Sequence, residues 1–168
     1  MQNYPDAKAN APVSIYESAV GELNFEYDMP QDTGNREDTY ALTLKTEEGE
    51  SGISIIGSDT FAFSYHDFTL KNLSAARHRN ELIKSEKKYL YIDYKVRGLG
   101  SNSCGPEPEP KYELHPHKFS FTFAIGADGF EDAVEKSRLD FGKKTEALSG
   151  AYTYTPPQKI SYVADCEL

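Results

Sequence analysis

Among 168 residues, the side chains with chemistry to offer are four histidines, two cysteines and 27 carboxylates. His115 and His117 flank Pro116 just ahead of an apolar alternation. Residues two apart on a strand point the same way, so the pair could hold a metal ion weakly. A structural metal site wants four ligands and a catalytic one three. No third ligand stands nearby, and an incidental surface pair is the simpler reading. His66 follows a strand-like run, and His78 falls at the end of a helical stretch, where the macrodipole alone explains a histidine. Glu47-Glu48-Gly49-Glu50 and Glu107-Pro108-Glu109 read as solvated turns. A retaining glycosidase needs two carboxylates about 5–5.5 Å apart, and sequence spacing cannot show such a pair. No nucleophile elbow, phosphate loop or dinucleotide fingerprint occurs, and Gly98-Leu99-Gly100 lacks both the third glycine and the following helix. Cys104 has no base beside it in sequence. With Cys166 it could form one bridge, but two reduced thiols are the plainer expectation, and two cysteines make no disulfide framework.

The elements that must position these residues read mainly as strands. Twelve Tyr and nine Phe, with no Trp and two Met, favour pleated, half-buried surfaces. Lys118-Phe119-Ser120-Phe121-Thr122-Phe123-Ala124-Ile125 puts four large apolar side chains on one face, the pattern of a half-buried antiparallel strand. Tyr40, Leu42 and Leu44 alternate likewise, as do Phe61, Phe63 and Tyr65. Residues 87–96 alternate with apolar side chains on both faces. Shorter strands are expected at 13–16, 23–27, 52–56, 151–155 and 159–163, separated by Gly, Pro, Asn and Asp clusters. Two stretches are helical in pattern. Thr69 can cap a helix carrying Leu70, Leu73 and Ala76 or Arg77 on one stripe. Asp128 and Glu131 have the spacing of a capping box over residues 128–141, with Phe130, Val134, Leu139 and Phe141 toward the sheet. Residues 98–111 form the longest loop, and loops of that length in a compact domain tend to be functional or mobile.

Charge narrows the partners. The formal net charge is −9 and the isoelectric point about 4.9, which argue against nucleic acid or an anionic membrane as a partner. No apolar run approaches the roughly 18 residues of a membrane span. The start MQNYPDAKAN lacks the basic and apolar regions of a signal peptide, so a cytoplasmic, soluble chain is expected.

Several motifs resemble one family. Asp93-Tyr94-Lys95, then Gly98-Leu99-Gly100-Ser101-Asn102-Ser103-Cys104-Gly105-Pro106, then Tyr112-Glu113-Leu114 are similar to the C-terminal, small-chain domain of glycoside hydrolase family 2 β-galactosidases. Asn3-Tyr4-Pro5-Asp6 matches that domain's "ENYPDR" segment, and Tyr27 to Asp38 its "PYxxPQENGNRxD" segment. Phe63-Ser64, Leu73 to Ala76, His78, Glu81 and Leu82 match "FxFS…LxxAxHxxEL". The motifs run in order over residues 2–137, and several in order are more specific than any one.

The resemblance implies a galactose-mutarotase-like supersandwich, an antiparallel β-sandwich with one or two short helices. Residues 1–141 would supply only the C-terminal half of that domain. Residues 142–168 have no counterpart and read as an extension carrying up to two further strands. Strands missing from a half-domain leave unpaired edges, which a second copy, the extension or a partner chain would have to cover. The whole enzyme of such a family hydrolyses terminal β-D-galactosides. Its acid/base and nucleophile glutamates, and its catalytic Mg2+, lie on a separate barrel domain, so no catalytic, metal or cofactor residue is expected here, and the chain alone is expected to be inactive. The small-chain domain lends a loop to the rim of the galactoside pocket, where some members stack a Trp on the aglycone. Cys104 stands at that position, with Asn102 and Ser103 beside it; His78, Asn35 and Arg36 complete the candidate lining. The implied partners are the remaining domains or large chain of a β-galactosidase, a galactoside, and an oligomeric assembly. A stand-alone carbohydrate-binding or assembly module is the alternative.

Overall fold

The computed structural model describes residues 2–7, 12–46, 52–100, 104–105, 107–127 and 159–164. Its regular elements are mainly antiparallel strands: β1 (Ser14–Ala19), β2 (Arg36–Lys45), β3 (Gly52–His66), β4 (Tyr89–Asp93), β5 (Phe123–Ala127) and β6 (Lys159–Ala164). One short helix, α1 (Leu70–Ala75), and three single 3-10 turns join them. The six strands form one sheet in the order β1-β6-β2-β3-β4, with β5 also paired to β3. The mainly-β, antiparallel expectation holds.

β3 organises the sheet. Its first half pairs with Leu44 through Ala41 of β2 on one side and with β5 on the other, where Ile55 faces Ile125. Its second half pairs with the start of β2 and with β4, where Phe63 faces Ile92. Between the halves the register slips, so that Ile56 faces Ala41 but Phe61 faces Thr39. Gly57 permits the excursion: a Cβ there would lie 2.2 Å from the Asp59 carbonyl oxygen and 2.9 Å from the Phe61 ring. This irregularity is why residues 52–56 and 61–65 read as separate strands. The chain bulges through Gly-Ser-Asp-Thr without leaving the sheet.

Alternation on β2 and β3 builds the core. Leu42, Leu44, Ile55, Phe61, Phe63 and Tyr65 are buried together under Leu23, and Val20, Leu90, Ile92 and Phe121 close over them. The opposite face is buried too, at Ala41, Ser54, Ile56, Ala62 and His66. α1 forms as its sequence dictates, with the Thr69 hydroxyl accepting the Asn72 N–H. Leu73 and Ala76 are buried, while Leu70 is exposed.

Two expectations change. Residues 23–27 are not a strand; side-chain bonds hold them instead of a ladder, Asn24 Nδ2 donating to the Tyr65 carbonyl (2.8 Å) and the Phe25 N–H to Thr33 Oγ1 (2.8 Å). The alternating run at 118–125 enters the sheet only from Phe123. Its apolar face is covered at Phe121, which packs on the core, but Phe119 is 62% exposed and Ile125 58% exposed. The helix expected over 128–141 and the strand over 151–155 lie outside the described residues.

Candidate functional site

The segments that carry the motifs come together in space. Asn3 N–H donates to the Asn35 carbonyl (2.9 Å), and Asn35 Nδ2 donates back to the Asn3 carbonyl (2.6 Å). Gln2 Nε2 donates to Thr33 Oγ1. Arg36 is buried, its guanidinium donating to the Asn35 carbonyl (3.0 Å) and the Leu23 carbonyl (3.4 Å). Asn35 and Arg36 thus tie the N-terminal segment to the start of β2. The Tyr4 ring is buried beside them, and burial pushes its phenol well above the ordinary value.

The same N-terminal segment holds the long loop. Asp6 accepts from the Gly100 N–H at 2.5 Å, and Gly98 N–H donates to the Tyr112 carbonyl (3.4 Å). Gly98 passes so close that a Cβ on it would lie 2.6 Å from Asp6 Oδ2. Arg97 closes the loop's base with a two-pronged grip on Glu113 (2.9 and 2.7 Å) and a further contact to Glu107. That guanidinium holds the Glu113 carboxyl below its usual range. Cys104, a free thiol, is exposed. Asn102 and Ser103 lie outside the described residues.

Beside this clamp lies a groove of about 360 Å³ whose lining draws on four of the motifs: Pro5, Glu37 with Asp38, Tyr94 with Lys95, and Tyr112 to Leu114. His115 and His117 complete it; the two are neighbours, His117 Nδ1 lying 2.7 Å from the His115 carbonyl oxygen. Among the described residues no group of three or more His, Cys, Asp or Glu is placed to hold a metal ion. Glu37 is the groove's perturbed acid. Burial, then the Asp38 charge, pushes its carboxyl up to about 7, against a pull from Lys95. A carboxylic acid poised near neutrality in a groove can exchange a proton or donate a hydrogen bond to a polar ligand. The groove opens onto an aromatic ladder in which Tyr94 stacks on Phe119 (4.8 Å, 4°) and lies 5.8 Å from Phe121.

His78 is elsewhere. It is exposed and precedes the turn Arg79–Glu81, and it lines neither this groove nor the second cleft, of about 350 Å³. That cleft lies between residues 20–33 and the end of β3 and carries Glu26, whose carboxylate bridges Arg79 (3.0 Å) and Lys84 (3.2 Å). His66 lines the cleft, 2% exposed and stacked on Phe68 at 4.8 Å. Its Nδ1 has no hydrogen-bond partner among the described residues, and burial lowers its pKa. Glu37 was missed in the sequence. Its signal was a carboxylate pair, Glu37-Asp38, directly ahead of the apolar alternation of β2.

The profile of the β-galactosidase small chain matches residues 1–125. The chain belongs to the β-galactosidase small-chain family. Among its relatives are β-galactosidases of Staphylococcus xylosus (36% identical over 87 residues, 52% of this chain and 8% of the relative), Arthrobacter sp. strain B7 (32% over 111 residues, 63% and 11%) and Kluyveromyces lactis (32% over 105 residues, 62% and 10%). The matches thus cover about a tenth of each of these relatives. Every segment that meets at the groove falls inside the small-chain match, whereas β6 falls outside it.

Proposed function

We propose that this chain is the C-terminal β-sandwich portion of a family 2 β-galactosidase, half of a galactose-mutarotase-like supersandwich. In this reading it supports or borders a galactoside site whose bond-breaking glutamates and Mg2+ belong to another domain. The observation that carries the reading is the convergence of the four small-chain motifs on one groove, beside a loop clamped at its base by Asp6 and Arg97. Asn102, Ser103 and Cys104, which follow the clamped stretch in sequence, are then the ones to reach the sugar. The exposed stripe of Phe119, Phe123 and Ile125 suits a face that docks on further polypeptide.

The test is complementation. The purified chain alone should not hydrolyse a chromogenic β-galactoside. Added to a β-galactosidase lacking only the matching C-terminal portion of its small-chain domain, it should bind and restore turnover. Turnover by the chain alone would refute the non-catalytic role, and absence of binding would refute the docking. The rival reading, a stand-alone sugar-binding module, draws on the stack of half-buried Tyr94 against exposed Phe119. It requires calorimetric heat with galactose or lactose in the absence of any other chain.

A further inference from the structure

β6 sits in the interior of the sheet although it comes from beyond the small-chain match, which ends at residue 125. Both of its neighbours, β1 and β2, come from within the match. All six residues of β6 have a partner on each side. Ala164 faces Ser14 and Thr39, Ser161 faces Glu17 and Thr43, and Lys159 faces Ala19 and Lys45. Because β6 is antiparallel to both, β1 and β2 run parallel to each other, one strand's width apart. Among the described residues β1 joins the sheet through β6 alone. Nor is β1 anchored by a buried apolar face: Ser14, Ile15, Glu17 and Ala19 are exposed and Tyr16 and Ser18 only half-buried.

We propose that β1 and β2 form a strand-acceptor slot, and that β6 is a plug which fills it from the same chain. The slot takes one extended antiparallel segment of about six residues and pays for it in backbone hydrogen bonds, the currency of strand addition. On the reading of the chain as part of a larger β-galactosidase, the plug competes with whatever strand of the remaining polypeptide would pair there. Strand exchange at the slot then regulates docking. Because β6 belongs to the same chain, its pairing is intramolecular and the plugged form dominates until it is displaced.

Two experiments on the full chain test this, in a Cys104→Ser/Cys166→Ser background. Thr43 and Ser161 face each other directly, so Thr43→Cys/Ser161→Cys should oxidise to a bridge within one molecule. The offset pair Thr43→Cys/Lys159→Cys should bridge at least about tenfold less. Bridges only between molecules, or none in a chain with unchanged circular dichroism, would overturn the proposal. The second experiment offers a fluorescent peptide with the sequence of residues 158–165. The oxidised, locked chain should capture none. Ser161→Pro, which removes a ladder donor from an interior strand, should raise capture about tenfold over the unaltered chain. Equal capture by locked and reduced forms of the same double variant would overturn the proposal even if Ser161→Pro failed to fold. Neither experiment contains a β-galactosidase, so the slot and the docking reading stand or fall separately.

Discussion

The Asp6 carboxylate accepts the backbone N–H of Gly100 across 94 residues of chain. It does so where Gly98 passes within reach of the same carboxylate. Two motifs from opposite ends of the family match are thereby one structural unit, in which an acidic side chain fixes the start of a loop.

That unit predicts a coupled pair of substitutions. Asp6→Ala loses a charge-assisted bond and should lower stability by about 1–2 kcal/mol. Gly98→Ala drives a methyl into the carboxylate and should cost about 1–3 kcal/mol. Because the clash is with the Asp6 side chain, the double variant should be more stable than the sum predicts, by about 1 kcal/mol. Urea denaturation of the four proteins measures the coupling, and strict additivity would contradict the contact.

Glu37 gives stability a slope with pH. Its folded value, pushed up to about 7, lies above the unfolded value of 4.5, so between them the folded state holds the proton more tightly. Its contribution is therefore fully present below pH 4.5 and is lost as pH rises through 7. Glu37→Gln should remove the loss and stabilise the chain above pH 7 by about 1–2 kcal/mol, a figure discounted for the water that still reaches the group. Denaturation midpoints at pH 5 and pH 8 check it. A variant with the parent's slope would contradict the assignment.

His66 gives the opposite slope. Burial lowers its folded pKa, so below its ordinary value of 6.5 the unfolded chain takes up a proton that the folded one refuses. Stability should fall as pH drops from 6.5 until the folded group itself titrates. His66→Phe keeps a ring against Phe68 and should be markedly less sensitive over pH 5–6.5, as read by thermal melting at half-unit steps.

The cap of α1 is a local test. Thr69→Ala should cost about 1 kcal/mol, and Thr69→Ser almost nothing, because either hydroxyl can accept the Asn72 N–H. Equal losses in the two variants would place the cost in packing instead.

Alternation made β2, both halves of β3, and β6 legible, because each carries a period of two that a sheet must satisfy. It misled at Phe119. A stripe of aromatics says that a strand needs an apolar cover without saying which chain provides it, and here Phe119 and Ile125 stay exposed. At Asn24 and Phe25 it misled for another reason: side-chain oxygens and amides satisfied the backbone in place of a ladder. The groove was legible only in pieces. Pro5, Glu37, Tyr94 and Tyr112 each stood in a recognisable motif, but their meeting depends on contacts spanning most of the chain, to which periodicity is blind. β6 showed its strand pattern yet gave no hint of its place between β1 and β2, since register with distant strands leaves no local mark.

The interleaving of β1, β6 and β2 has a consequence for biosynthesis. β1 emerges from the ribosome before β2, β3 and β4, but the segment it must pair with is more than 140 residues downstream, Ser14 against Ala164. A nascent chain can assemble β2, β3 and β4 while β1 waits, solvated and unattached, for the last part of the sheet to be translated. Closure of that outer layer should be the slow, late event of folding, and a stalled or prematurely released chain would present an open seam to every other such chain around it.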